Sequence, residues 1–257
     1  MDADEHYLSI DVRWHDDRYH GRGDGGKPEW PPSPLRLMAA LVAGGSPLGD
    51  AERAALRWLE STQPPTILAP DVQCADGVLS YVPSNNRDAG KAVDVAGIRT
   101  EKLIRPQRLP TGSAVSFVWD VGPDDVPHAQ TLTRLAGKLR CLGWGIDMAF
   151  AHARLTDEPP AADGRQTYRP ATPSRVTLRL PEPGTLASMD AAHEAALGRV
   201  IGRKSNEVHD RPGLLRFRRV GYKPGAAPPA WLAFALRDAD GEFVTFGPDR
   251  IAPLAGM

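Results

Sequence analysis

Residues 29–42 read Glu-Trp-Pro-Pro-Ser-Pro-Leu-Arg-Leu-Met-Ala-Ala-Leu-Val, and this stretch decides the fold class. Ser33 is a suitable N-cap, and Pro34 suits the first turn of a helix. The apolar side chains behind them recur at helical spacing, at Leu37, Met38, Leu41 and Val42. The pattern predicts a helix that begins at residue 34 and ends at the glycine pair 44–45.

Strands and helices alternate on both sides of this helix. Apolar and polar residues alternate over 6–14, which is typical of a strand with one buried face. The predicted elements after the first helix are a second helix over 51–60, short strands over 66–69 and 78–82, a strand over 115–121, a helix over 126–142 and a strand over 146–153. Without the extra helix and one short strand the order is βαββαβ. This order predicts an α+β fold with a ferredoxin-like (RRM-like) sheet.

Two segments interrupt this pattern. Residues 84–110 show no helical or strand period, and a connection of that length is typical of a functional insertion or a disordered segment. Residues 157–166 are rich in Pro, Ala and Asp and predict a linker. The elements predicted beyond it are a helix over 185–201 and strands over 176–180, 216–222, 231–236 and 242–246. The sequence therefore predicts a domain over 1–157, with the insertion inside it, and a smaller β-rich domain over 168–257.

Composition bounds the class of protein. The chain has 257 residues, of which 41% are hydrophobic and 25% charged, as in globular proteins. No run of 18 apolar residues and no basic-then-apolar N-terminal segment is present, so we expect a soluble, cytoplasmic protein. The two cysteines, Cys74 and Cys141, are too far apart for a zinc knuckle and are expected to be buried thiols.

The formal net charge is −1, but the charges are segregated along the chain. Basic residues outnumber acidic ones in the segment 199–223 and in the insertion 84–110. Such segregation is typical of a contact surface for a polyanion, and it also fits two solvated loops.

Few residues suggest catalysis. No phosphate loop, dinucleotide fingerprint or hydrolase motif occurs. His15 and His20 lie in one loop with Arg18, Tyr19 and Arg22, where two imidazoles beside an RNA phosphate suit metal-free RNA cleavage. The simpler interpretation is that these residues line a binding loop.

Three aromatic positions are candidates for stacking on nucleic-acid bases. Trp30 either packs against the start of the helix, which we favour, or stacks on a base. Trp144, between two glycines, either marks a helix end or exposes backbone N–H groups to a phosphate. At the third position, Phe217 and Tyr222 lie among arginines, a pattern suited to stacking and phosphate contact.

Several stretches of the sequence resemble those of a known family. The Trp-Pro-Pro-Ser-Pro run at 30–34 resembles the RAMP-superfamily subunit of type I-U (I-G) CRISPR effector complexes. Weaker likenesses are the stretch Tyr-Val-Pro-Ser-Asn-Asn at 81–86, the residues 105–110 and the helix ending Cys-Leu-Gly-Trp-Gly at 141–145. In this order they span about residues 7–155.

The resemblance implies a function. Such subunits cap the five-prime, repeat-derived handle of the guide RNA, contact backbone and large subunits, and are fused to a C-terminal endonuclease that we expect to lie outside this chain. The insertion 84–110 is then a thumb that folds over the guide. Trp144 departs from the family pattern, which has a basic residue there. We expect no metal, cofactor or membrane, and the alternative function is a metal-independent endoribonuclease that uses His15 or His20. The expected RNA-binding residues are Arg18, Tyr19, His20, Arg22, Trp30, Arg36, Arg99, Lys102, Arg105, Arg108, Trp144, Arg203, Lys204, Arg216, Arg218 and Arg219.

Overall fold

The structure is a computed structural model, and it describes residues 6–83, 99–200 and 215–225. Its strands are β1 (His6–Trp14), β2 (Arg18–Tyr19), β3 (Thr66–Ala69), β4 (Gln73–Cys74), β5 (Val78–Pro83), β6 (Arg99–Ile104), β7 (Gln107–Arg108), β8 (Val115–Val121), β9 (Ala149–Thr156), β10 (Gln166–Pro170), β11 (Val176–Leu180) and β12 (Arg218–Pro224). Its helices are α1 (Pro34–Gly45), α2 (Asp50–Ser61), α3 (Val126–Ala136) and α4 (Thr185–Val200). Among the described residues, no helix has the length and apolar character needed to cross a membrane.

Seven strands form the main sheet in the order β11-β12-β10-β3-β8-β1-β9. Every neighbouring pair in it is antiparallel. Helices α1 and α2 connect β1 to β3, and α3 connects β8 to β9. The predicted α+β class is confirmed, and the order β3-β8-β1-β9 agrees with the expected βαββαβ arrangement.

The core forms where apolar faces of the sheet and the helices meet. Strand β1 buries Leu8, Ile10, Val12 and Trp14 in one cluster with Leu37, Met38 and Leu41 of α1, Leu56 of α2 and Leu132 of α3. Each large apolar side chain that is fully buried stabilises the fold by about 1.5–3 kcal/mol. The alternation predicted for β1 and the helical spacing predicted for α1 are therefore both confirmed.

The strands after the linker continue the main sheet. β10 pairs with β3, and β12 lies between β10 and β11. Residues 1–227 group into one compact unit, and the remaining unit, 228–257, lies outside the described residues. The strands predicted over 231–236 and 242–246 fall there. The division into domains 1–157 and 168–257 stays a prediction.

The insertion is more regular than its sequence indicates. Strand β6 forms a hairpin ribbon with β5, and β7 pairs with both β2 and β4. The absence of strands predicted for 84–110 is therefore wrong for 99–108, since pairing with distant segments stabilises strands that have no local period. Residues 84–98 lie outside the described residues. The expectation of two buried cysteines is wrong for Cys74, which is exposed at the end of β4.

Candidate functional site

The loop between β1 and α1 is organised by one buried carboxylate, that of Glu29, which is 6% exposed. Oε1 of Glu29 accepts hydrogen bonds from the Tyr19 hydroxyl, the Ser33 backbone N–H and Nε of Arg36, each at 3.0 Å. Oε2 accepts one from Nη2 of Arg179 at 3.2 Å. The Glu29 carboxylate thus joins the loop, the start of α1 and strand β11.

Electrostatics match this geometry. Burial by itself raises the pKa of Glu29, but the charge and hydrogen bond of Arg36, with the bonds from Ser33 and Arg179, outweigh it and lower the pKa below its usual value. Burial and the nearby Glu29 raise the pKa of the Tyr19 phenol well above its usual value, so the phenol stays neutral and donates. The network holds one carboxylate ion between two guanidinium groups.

The same two arginines fix the backbone of the loop. Arg36 and Arg179 each donate from Nη2 to the carbonyl oxygen of Arg22, at 3.0 and 3.2 Å. Charge-assisted bonds of this kind are stronger than neutral ones. These two bonds fix the backbone position from which the Arg22 side chain extends. The Arg22 guanidinium itself donates to the carbonyl oxygens of Gly26 and Leu103.

A second buried carboxylate, Asp147, anchors the other side of the loop. It accepts hydrogen bonds from the backbone N–H of Trp144 at 2.6 Å and from the backbone N–H of His20 at 3.1 Å, and it lies 2.5 Å from Nδ1 of His20. The rings of His20 and Trp144 stack with centroids 5.8 Å apart. Cζ of Arg22 lies 5.3 Å from the centroid of the Trp144 ring. His20, Trp144 and Arg22 consequently form one stacked cluster.

The Trp144 turn depends on the glycine before it. Gly143 has φ +132°, and a Cβ added there would overlap the Asp147 carboxylate. We expect Gly143→Ala to lower the free energy of unfolding by about 1–3 kcal/mol, because it strains the backbone and displaces Asp147. Urea denaturation measures the change. Gly145→Ala is the matched control, since nothing lies within 4 Å of its added Cβ. Equal stability of the two variants would contradict this account of the turn.

Arginines also surround a second aromatic ring. Cζ of Arg179 lies 5.9 Å and Cζ of Arg219 lies 5.1 Å from the centroid of Phe217. Nε of Arg219 donates to Oδ2 of Asp24 at 3.0 Å, which ties β12 to the loop. We call the five residues Arg22, Trp144, Arg179, Phe217 and Arg219 the aromatic–arginine surface. Arg179 links its two rings, since it contacts Phe217 and the Arg22 backbone.

The structure places the predicted site residues in three groups. Arg22, Trp144 and Arg219 belong to the aromatic–arginine surface, and His20 stacks on it. Tyr19 is fully buried, Arg36 is bound to Glu29, and the Trp30 indole donates to the carbonyl oxygen of Pro70, so these residues support the loop from behind. The other predicted arginines with exposed side chains are Arg18, Arg105, Arg108, Arg216 and Arg218. Tyr222 is fully buried, and its hydroxyl donates to the carbonyl oxygen of Pro65, so its predicted contact with RNA is wrong.

Five predicted residues remain, namely four basic residues and His15. Arg99 and Lys102 belong to β6. Arg203 and Lys204 lie outside the described residues. His15 lies against Phe150, with ring centroids 5.5 Å apart, whereas His20 lies against Trp144. The expectation that the Trp144 backbone N–H is open to a phosphate is wrong, because the Asp147 carboxylate already accepts its hydrogen bond.

Sequence reasoning missed Glu29, Asp147 and Arg179. Glu29 begins the stretch that decides the fold, and an acidic residue beside a Trp-Pro-Pro run was the available signal. Arg179 interrupts an otherwise apolar end of strand β11. Asp147 carries no local signal, since it contacts His20 across 127 positions of the chain.

Comparison with known proteins gives one family. The model of the family described as CRISPR-associated protein, GSU0054 family, matches residues 16–253. The match spans the loop, the Trp144 turn, Arg179 and the Phe217 segment. Among curated proteins, no match is found.

Proposed function

The chain belongs to the CRISPR-associated GSU0054 family, and we propose that it is an RNA-binding, RAMP-type subunit of a type I effector complex. In this proposal it caps the five-prime handle of the guide RNA and contacts the backbone and large subunits. The observation that carries the proposal is a pair of half-buried rings with guanidinium groups over them. Trp144 has one, 5.3 Å from its centroid, and Phe217 has two, at 5.1 and 5.9 Å.

This arrangement suits single-stranded RNA. Unpaired bases stack on aromatic rings, and guanidinium groups contact phosphates and extend the stack. The Asp147 carboxylate fixes the backbone N–H of Trp144 before binding, and the Glu29 carboxylate holds Arg179, whose guanidinium lies over the Phe217 ring. A preorganised surface loses less conformational entropy when RNA binds.

The β5–β6 ribbon supports the proposed contact with a neighbouring subunit. Its exposed apolar side chains are Val78, Leu79, Tyr81 and Leu103, with 63%, 49%, 52% and 46% exposure. Leu79 and Leu103 are directly opposite each other on the same face of the ribbon. Exposed apolar groups on a narrow two-stranded ribbon suit burial against another protein, as expected of a thumb beside the first backbone subunit.

Salt dependence tests the RNA-binding proposal. Each phosphate contact with a single strand contributes about −0.7 to the slope of log affinity against log salt. With about five to eight contacts, we expect a slope of about −4 to −6 for handle RNA and the purified chain. Fluorescence anisotropy at several salt concentrations measures it, and a slope near zero would contradict the proposal.

The His20–Asp147 contact favours the alternative, a metal-independent endoribonuclease, because a buried carboxylate that orients an imidazole is typical of acid–base catalysis. The RNA recovered from the salt series distinguishes the two functions. Intact RNA supports the binding subunit. RNA that the wild type cleaves and the His20→Gln variant leaves intact would establish the endoribonuclease.

A further inference from the structure

The face of the main sheet opposite the core carries a second set of exposed side chains. Along β9, the residues Ala149 and Ala153 turn toward the core and are buried. The alternate positions point the other way, and Phe150 is 45% exposed. Just before the strand, Met148 is 49% exposed. His152 and Arg154 are exposed on the same side.

Strand β1 adds to this surface from the neighbouring position in the sheet. Arg13 is directly opposite Phe150, and Asp11 is opposite His152. The ring of His15 lies 5.5 Å from that of Phe150. We call Arg13, His15, Phe150, His152 and Arg154 the open-face patch.

The charge of the open-face patch is favourable for an anion. Its two guanidinium groups, Arg13 and Arg154, face one carboxylate, Asp11, which Arg154 contacts at 2.8 Å. Within the described part of the chain, the Arg13 guanidinium has no hydrogen-bond or ion-pair partner. A cation without a partner beside an exposed ring matches the two chemical features of single-stranded nucleic acid, a phosphate beside a base.

The two ends of the open-face patch have different surroundings. One end begins at Met148, next to Asp147, whose carboxylate holds His20 and the Trp144 turn. The other end reaches a cavity of about 520 Å³ whose walls include Asp157, Glu158 and Asp163. Arg154 and Arg165 line the same cavity, so its walls carry charges of both signs, whereas the charged residues of the open-face patch are basic. The six residue steps from Met148 to Arg154 span about 20 Å at about 3.3 Å each.

We infer that the open-face patch is a second contact surface for single-stranded RNA, which continues the path of a strand bound at the aromatic–arginine surface. This inference rests on the proposed function. A base stacks on Phe150, and Arg13 pairs with a neighbouring phosphate. RNA is favoured over a protein occupant because the other four members of the open-face patch are two arginines and two histidines.

RNA length separates the two surfaces experimentally. A single-stranded RNA of about 4 nucleotides is short enough to occupy one surface, and one of about 16 nucleotides is long enough for both. Phe150→Leu keeps an apolar side chain but removes the π face. We expect it to weaken binding of the long RNA about tenfold and to leave the short RNA unchanged. Phe150→Tyr is expected to bind both RNAs as the wild type does.

Arg13→Ala is the companion variant, and Arg57→Ala, an exposed arginine of α2, is its matched control. We expect Arg13→Ala to make the slope of log affinity against log salt for the long RNA about 0.7 less negative, and Arg57→Ala to leave it unchanged. Unchanged long-RNA binding by Phe150→Leu and Arg13→Ala would overturn the second surface while the proposed function stands. Normal RNA binding with loss of neighbouring subunits would assign the patch to a protein and overturn it as well. Failure of the wild type to bind either RNA would instead overturn the proposed function.

Discussion

Glu29→Gln should lower the free energy of unfolding by about 3 kcal/mol, because it leaves two partly buried guanidinium groups without their counter-ion. Arg36 and Arg179 both bind the Glu29 carboxylate, and both also hold the carbonyl oxygen of Arg22. The variant is therefore expected to lose RNA affinity together with stability. Urea denaturation near neutral pH measures the first effect, and fluorescence anisotropy measures the second.

The dependence on pH identifies the charge as the cause. The pKa of Glu29 is lower in the folded chain than its usual value of 4.5, so the ionised carboxylate is more stable relative to the protonated acid in the folded chain than in the unfolded chain. The stability difference between wild type and Glu29→Gln should be fully present above pH 4.5 and should shrink as the pH falls through the folded pKa. Asp24→Asn breaks the exposed pair with Arg219 and is expected to change stability by less than about 1 kcal/mol. A difference between wild type and Glu29→Gln that does not change with pH would contradict the charge-based account.

The double variant Trp144→Ala, Phe217→Ala should nearly abolish binding of single-stranded RNA and leave the fold intact. Stacking contributes about 1–3 kcal/mol for each base, so loss of two rings weakens affinity by about 100-fold or more. Both rings are only half buried, and the backbone N–H of Trp144 that binds Asp147 remains in the variant. Anisotropy titration at constant salt measures the loss, and thermal melting checks the fold.

Two controls accompany the double variant. Trp58→Ala removes a half-buried tryptophan that stacks on His128 of α3, away from the loop, and is expected to leave RNA affinity unchanged. Trp144→Phe with Phe217→Tyr retains two aromatic faces and should restore most of the affinity. Binding by the alanine double variant within about twofold of wild type would show that neither ring contacts the RNA.

The elements predicted from local sequence patterns are those that bury one regular apolar face. The start of α1 at Pro34 and the two-residue alternation of β1 required only neighbouring residues, and the structure confirms both. Ser33 precedes the helix, but its side chain makes no capping hydrogen bond. Strand β6 was missed because it is stabilised by pairing with β5, some twenty positions away along the chain. The neighbouring residues Val78 and Leu79 of this ribbon are both exposed, so neither face is buried and no alternation of apolar and polar residues is required.

The candidate site was only partly predictable for the same reason. Arg22, Trp144 and Arg219 were identified from aromatic and basic composition, but nothing in the sequence distinguished them from Tyr19, which is fully buried. Burial at Tyr19 follows from its hydrogen bond to Glu29 and its packing on Trp14 and Trp30. Arg179 reaches the loop from 150 positions away and became a candidate only in three dimensions.

The proposed function requires that the aromatic–arginine surface hold the five-prime handle of a guide RNA. Ultraviolet crosslinking tests it directly, with an assembled effector complex that carries 4-thiouridine only in the handle, followed by mass spectrometry of the crosslinked peptides. We expect crosslinks to peptides that contain Trp144 or Phe217, and their loss in the alanine double variant. Handle crosslinks confined to other subunits, or to the helical side of this chain around Trp58, would contradict it.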